Sequence, residues 1–149
     1  MQTKKQVDLY VDSKYTKTSA MYTILVVEDE APLREAFEFL LKAEGFSVCV
    51  ADNGQAALAL LDHKKPDLIL LDMLMPIMNG LEFLQQAKLP TKYPKTRTIV
   101  LSNLSDSVTL NDAELYGVQE VLIKANLSPI DLANIVKKYL VSGEKLKQS

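Results

Sequence analysis

Two runs of four residues, Ile24-Leu25-Val26-Val27 and Leu68-Ile69-Leu70-Leu71, are apolar at every position, and each ends in an acid. A strand with one wet face alternates polar and apolar side chains. A short run without alternation calls for cover on both faces, as at the centre of a parallel sheet. The acids that follow, Glu28-Asp29-Glu30 and Asp72, then stand where such strands turn into loops. With these two runs, the strand candidates are Thr23–Val27, Ser47–Ala51, Asp67–Leu71, Thr98–Leu101 and Glu120–Ile123. The last two are followed by polar groups as well, Ser102 and Lys124.

Segments of helical period lie between the strands. Leu33, Phe37, Leu40 and Leu41 form one stripe, Ala56, Ala57, Leu60 and Leu61 a second, and Leu81, Leu84 and Ala87 a third. Pro32 suits the first turn of its helix. Ser128-Pro129-Ile130-Asp131 supplies a cap, a proline and an acid for the start of a last helix, with Gly143 past its end. Leu110 to Tyr116 is the weakest helical pattern. The alternation predicts a doubly wound α/β fold, with a five-stranded parallel sheet and helices on both faces. Sites in such sheets lie beyond the carboxyl ends of the strands, so Asp29, Asp72, Ser102 and Lys124 should converge.

The 149 residues suit one domain, expected over 22–142. Residues 1–21 read as a polar extension or tag, with Met21 a candidate true start, and 143–149 as a polar tail, with no output domain after it. A net charge of −2 and the lack of a basic stripe give no case for nucleic-acid binding. No apolar stretch approaches the roughly 20 residues of a membrane span, and the amino terminus has no signal-peptide core. Cys49 is the only cysteine, so no intramolecular disulfide forms; it is expected as a buried small hydrophobe in a reducing cytoplasm.

Glu28, Asp29 and Asp72 would set about three negative charges within a few ångströms, which is strongly repulsive. A hard divalent cation relieves that repulsion, and carboxylates with waters and phosphate oxygens suit Mg²⁺. Lys124 adds a fixed positive charge and Ser102 a hydroxyl. Such a site is ready to hold a phosphoryl group, and a carboxylate can carry one as an acyl phosphate. Taken singly, each residue has a plain alternative: Asp72 a turn residue, Glu28-Asp29-Glu30 a helix-start acid cluster, Lys124 a surface lysine, Ser102 a turn. Their agreement at four strand tips favours the joint reading.

The motifs Ile-Leu-Val-Val-Glu-Asp-Glu (24–30), Pro-Asp-Leu-Ile-Leu-Leu-Asp-Met-Leu-Met-Pro-Ile-Met-Asn-Gly (66–80), Thr-Ile-Val-Leu-Ser (98–102) and Val-Leu-Ile-Lys (121–124) resemble the receiver domain of bacterial response regulators. The spacings of 30 residues from Asp72 to Ser102 and 22 from Ser102 to Lys124 are typical of that family. The resemblance implies a flavodoxin-like strand order, 2-1-3-4-5. It implies that Asp72 accepts a phosphoryl group from a phosphohistidine of a sensor histidine kinase or a histidine phosphotransfer protein. Asp29, with Glu28 partly through water, would hold Mg²⁺ together with Asp72 and the backbone carbonyl of Leu74. Ser102 would move toward the phosphoryl group and Lys124 pair with it. The chain would be no enzyme beyond its own phosphotransfer and slow autodephosphorylation. It would either relay the phosphoryl group onward or signal to an unknown protein target through the face of the fourth helix, fifth strand and fifth helix.

Three positions depart from the family pattern. Asn103 stands where a small residue is usual, Val121 where many members carry a switch Tyr or Phe, and Ala125 where proline is common. Asn103 and Val121 point to an alternative, a receiver-like interaction module that works without phosphorylation. A flavodoxin-like cofactor binder shares the fold, but Glu28-Asp29-Glu30-Ala31-Pro32 would repel phosphate unless a cation intervened. In the family that the chain resembles, side chains two residues beyond the acceptor and the hydroxyl residue flank the path of the hydrolytic water; Leu74 and Leu104 stand there and cannot orient it, so slow loss of the phosphoryl group is expected. His63 reads as a solvated helix-end residue, Met73, Met75 and Met78 as loop packing, Tyr116 as packing, and Lys137-Lys138 as a solvated face.

Overall fold

The computed structural model describes residues 18–103 and 114–141. Five strands, β1 (Thr23–Val27), β2 (Ser47–Ala51), β3 (Leu68–Asp72), β4 (Arg97–Ser102) and β5 (Glu120–Ile123), form one parallel sheet in the order β2-β1-β3-β4-β5. The two unalternating runs are central, as their composition requires: Ile24 to Val27 and Leu68 to Leu71 are each at most 1% exposed. Leu25, Val27, Ile69, Leu71 and Val100 pack on one face with helices α2 (Gly54–Lys64) and α3 (Gly80–Ala87). Ile24, Val26, Leu68, Leu70, Ile99 and Leu101 pack on the other, with α1 (Ala31–Ala43) and the last helix, Pro129–Leu140. Parallel strands need crossovers, and the helices supply them while drying both faces of the sheet.

Local chemistry sets the helix starts. Asn53 caps α2 by accepting from Ala56 N. Asn79 and Glu82 form a reciprocal capping box on α3, and Ser128 and Asp131 form another on the last helix. The expected stripes face the core: Phe37, Leu41, Ala57, Leu61, Leu84 and Ala87 are buried, and Leu33, Leu40, Ala56, Leu60 and Leu81 half-buried. The α3 stripe also includes Phe83, at 0% exposure.

Some expectations need correction. The third strand was expected from Asp67 and begins one residue later. The carboxylate of Asp67 instead accepts from Thr23 N at 2.8 Å, tying the amino ends of β3 and β1 together. Cys49 is half-buried rather than buried, because β2 is an edge strand; its Sγ lies 3.7 Å from the Ile24 carbonyl oxygen. A one-turn helix, Leu89–Lys92, was too short for a periodic signal. Most of the helix expected at Leu110–Tyr116 lies outside the described residues, as do 1–17 of the expected extension and the tail 143–149. Ser19–Met21 form a 3₁₀ turn leading into β1. Among the described residues, no helix is long and apolar enough to cross a membrane.

Candidate functional site

The register brings the strand tips level: Val27 pairs with Leu71, and Asp72 with Leu101. β1 delivers Glu28 and Asp29 at its carboxyl end, with Glu28 N donating to the Ala51 carbonyl at 3.0 Å. β3 ends on Asp72, β4 on Ser102, and Lys124 opens a 3₁₀ turn directly after β5. Glu28 is 1% and Asp72 3% exposed, while Asp29 faces solvent. Lys124 Nζ lies 3.0 Å from Glu28 Oε1 and 3.3 Å from Asp72 Oδ2. Oxygens of Glu28, Asp29 and Asp72 all lie within 4.8 Å of one another.

Lys124 faces this acid cluster, and Asp72 responds. Burial first, then the charge of Glu28, pushes Asp72 up to about 7, against the pull of Lys124. Burial alone would lower the Lys124 ammonium; hydrogen bonding to Glu28 and the charges of Asp72 and Glu28 outweigh it and raise the group. Glu28 Oε2 accepts from Lys124 Nζ at 3.2 Å and from Glu30 N at 3.1 Å. Glu28 Oε1 is close to Nζ, but outside hydrogen-bonding geometry, and stays buried without a donor. A set of three carboxylates whose oxygens lie within 4.8 Å of one another, with Lys124 as the counter-charge among the described residues, fits a hard cation with oxygen ligands.

Ser102 is 5% exposed, on the strand beside Asp72, and its hydroxyl donates to the Asn103 carbonyl at 3.1 Å. Leu74 lies two residues past Asp72 with its side chain exposed. Leu104 lies outside the described residues. Val121 is half-buried against the core face that holds Val100 and Val118, and Tyr116 packs on the same face, accepting from Gln85 Nε2 at 3.4 Å. The peptide bond before Ala125 is trans. His63 is exposed; Met73 is buried, and Met75 and Met78 pack against the core; Lys137 is exposed and pairs with Glu44 at 2.7 Å.

Two contributors were missed in the sequence. Arg34, on α1, donates from Nη1 to the carbonyl of Glu28 at 2.9 Å and to that of Asp29 at 3.4 Å, bracing the turn that presents both acids. Gly80 lets α3 approach β3: a Cβ there would lie 2.6 Å from the Asp72 carbonyl oxygen. The Asn-Gly pair was a visible signal for the second; a lone arginine on a helix gave none for the first.

Residues 24–138 match the response regulator receiver domain model. The chain belongs to the response regulator receiver family. An uncharacterized 14.6 kDa protein from the sodA1 3′ region of Leptolyngbya boryana is 31% identical over 126 residues, covering 85% of this chain and 95% of that one. The probable transcriptional regulator ycf27 of Porphyridium aerugineum is 32% identical over 122 residues, 82% of this chain, which spans only 49% of the regulator. Among solved structures, Vibrio cholerae chemotaxis protein CheY4 aligns with a TM-score of 0.70 at 25% identity, over 80% of this chain and 98% of that one. The response regulator TrrA of Thermotoga maritima, solved in complex with Mg²⁺-BeF, aligns with a TM-score of 0.65 at 31% identity, over 80% and 99%.

Proposed function

We propose that this receiver accepts a phosphoryl group on Asp72 from the phosphohistidine of a sensor histidine kinase or a histidine phosphotransfer protein. The observation that carries the reading is the Lys124 ammonium between two buried acids, Glu28 and Asp72, at the carboxyl ends of three strands. In the transfer, an Asp72 carboxylate oxygen attacks phosphorus, the P–N bond breaks, and its electron pair returns to the imidazole. The product is an acyl phosphate on Asp72.

Glu28, Asp29 and Asp72, with the Leu74 carbonyl, would hold Mg²⁺, the cation that the relative TrrA carries beside its BeF group. When bound, the ion supplies positive charge that favours the ionised form of Asp72 and offsets charge on the transferring oxygens. Lys124 pairs with the phosphoryl group from the other side, and the Ser102 hydroxyl turns from the Asn103 carbonyl to donate to it. Arg34 keeps the acid-bearing turn in place. The chain is then no enzyme with a separate substrate. It catalyses only its own phosphorylation and slow autodephosphorylation, in the cytoplasm where kinases present phosphohistidine, and it signals to a protein target by a change of shape.

A second reading, an interaction module independent of phosphorylation, draws on the half-buried Val121 in place of an aromatic switch. One experiment separates the two. The chain incubated with acetyl phosphate and Mg²⁺ gains one phosphoryl mass, and Asp72→Asn gains none. An unlabelled wild type supports the second reading; an equally labelled Asp72→Asn variant overturns the assignment of Asp72.

A further inference from the structure

The pole of the sheet opposite Asp72 is cut by two adjoining clefts. One, of about 380 Å³, lies against Tyr22, Arg97 and Leu140, where β1 and β4 start and the last helix ends. The other, of about 440 Å³, runs past Lys65, Lys92 and Tyr93. Asp67 and the segment from Pro94 to Thr96 line both, so the two form one groove.

The groove gathers cations from two segments far apart in sequence. Residues 88–97 hold Lys88, Lys92, Lys95 and Arg97 with no acid among them, and Lys64 and Lys65 close α2. Lys65, Lys92 and Lys95 are exposed, and Arg97 is half-buried. Elsewhere cations are matched: Lys42 pairs with Glu38, Lys124 with Glu28 and Asp72, and Lys137 with Glu44. Among the described residues, Lys65, Lys92, Lys95 and Arg97 have no such ion pair. The acids that line the groove are engaged by the fold, Asp62 by the Tyr93 hydroxyl and Asp67 by Thr23 N. Helix carboxyl ends favour cations, which accounts for Lys65 and Lys92, but Lys95 and Arg97 stand outside the helices. The backbone gives a second sign. Lys65 has φ of 45° and Lys88 φ of 52°, at helix ends where glycine is the favoured residue. Lysine there keeps a positive charge against the backbone preference.

We propose that this groove is a docking site for an acidic, extended segment of a partner protein. Charge complementarity selects the occupant: unpaired cations line a cleft whose own acids are already engaged. The shape narrows it further. Tyr93, Pro94 and Leu140 give the groove apolar walls that fit a peptide chain. A bilayer presents a plane, and a nucleic-acid duplex calls for a long basic stripe. Residues 1–17 and 142–149 of this chain are net basic, so the segment comes from another protein. Asp72 lies at the other end of its strand, and the segment leaves it open. The groove thus holds a partner beside the receiver without covering the acid cluster.

The test uses the full chain at low salt and a short fluorescein-labelled peptide of Glu, Asp and Leu. Anisotropy should show binding that weakens as salt rises, and a matched peptide of Gln, Asn and Leu should not bind. Lys92→Glu with Lys95→Glu should weaken binding about tenfold. The milder pair, Lys92→Gln with Lys95→Gln, should lose less, which separates charge from a folding defect. With peptide bound, NMR amide shifts should move at Lys65, Asp67, Lys95 and Arg97 and stay unchanged at Asp29 and Asp72. Lys65→Gly should melt higher, by relief of its positive φ, and yet bind the peptide less well. No binding at low salt, equal binding by the charge-reversed variant, or shifts centred on Asp29 and Asp72 overturns the docking site. Tighter binding to a DNA duplex or to phosphatidylglycerol vesicles than to the peptide overturns the choice of a protein partner. A lower melting temperature in Lys65→Gly overturns the claim that lysine is held there against the backbone.

Discussion

β3 has an aspartate at each end, and the two live differently. Asp67, just before the amino end, is half-exposed and accepts a backbone hydrogen bond from Thr23 at 2.8 Å. It joins two strands, and its charge reaches water. Asp72, at the carboxyl end, is buried beside Glu28, shares one lysine with it, and is pushed up to about 7. Five residues apart, one acid serves the sheet and the other strains it. Parallel strands place every carboxyl end at one pole, so acids there crowd one another, while an acid at the other pole can bond the neighbouring strand. A buried acid that the fold does not satisfy points to chemistry.

The largest expected effect comes from removing the counter-charge that Lys124 sets between Glu28 and Asp72. Lys124→Ala leaves Glu28 and Asp72 buried without a cation, and should cost about 3 kcal/mol in urea unfolding with chelator present. Mg²⁺ should recover more stability in this variant than in the wild type. Equal recovery would show that the lysine and the metal do not share a task.

Asp72→Asn should act in the opposite direction. The folded pKa of Asp72 lies above its unfolded value, so between about pH 4 and 7 the folded state binds more protons. Its contribution to stability is therefore present at low pH and lost as pH rises through 7. Without metal, the Asn variant should be more stable than wild type at pH 8 by about 1–2 kcal/mol. This is below the full linkage value because Lys124 and local water offset part of the cost. A gap that does not shrink from pH 8 to pH 5 would contradict the crowding of the acids.

Asp67→Ala should cost about 1 kcal/mol, by leaving Thr23 N without its acceptor, and should leave phosphoryl labelling untouched. A labelling defect would break the contrast between the two ends of β3. The smallest change is expected of Arg34→Gln. Mg²⁺ affinity should fall by about threefold to tenfold, with little change in melting temperature, because the arginine braces the turn and does not touch the ion. Unchanged affinity would reduce Arg34 to a helix-surface residue.

The sheet and the acid cluster were legible because both violate an expectation. Ile24 to Val27 and Leu68 to Leu71 lack alternation, which forces them to the centre. Acids at the ends of such runs have no packing reason to be there. Lys124 and Ser102 followed once the strand ends were aligned. The turn of Asp67 toward Thr23 was illegible, because it depends on which strand lies beside β3. Cys49 was misjudged for the same reason: an apolar, β-branched pentapeptide reads alike at the centre and at an edge. Arg34 looked like any charged helix residue until the carbonyls of Glu28 and Asp29 were placed under it. Ile77, whose φ is 70°, had no signal, since isoleucine is among the last residues expected at a positive φ.

The most direct test of the central claim is where the phosphoryl group resides. Acetyl phosphate and Mg²⁺ label the chain, borohydride reduces the acyl phosphate, and peptide mass spectrometry locates the homoserine formed from aspartate. The prediction is homoserine at position 72 and nowhere else. Homoserine at position 29 or 67, or labelled protein with none at 72, would contradict it.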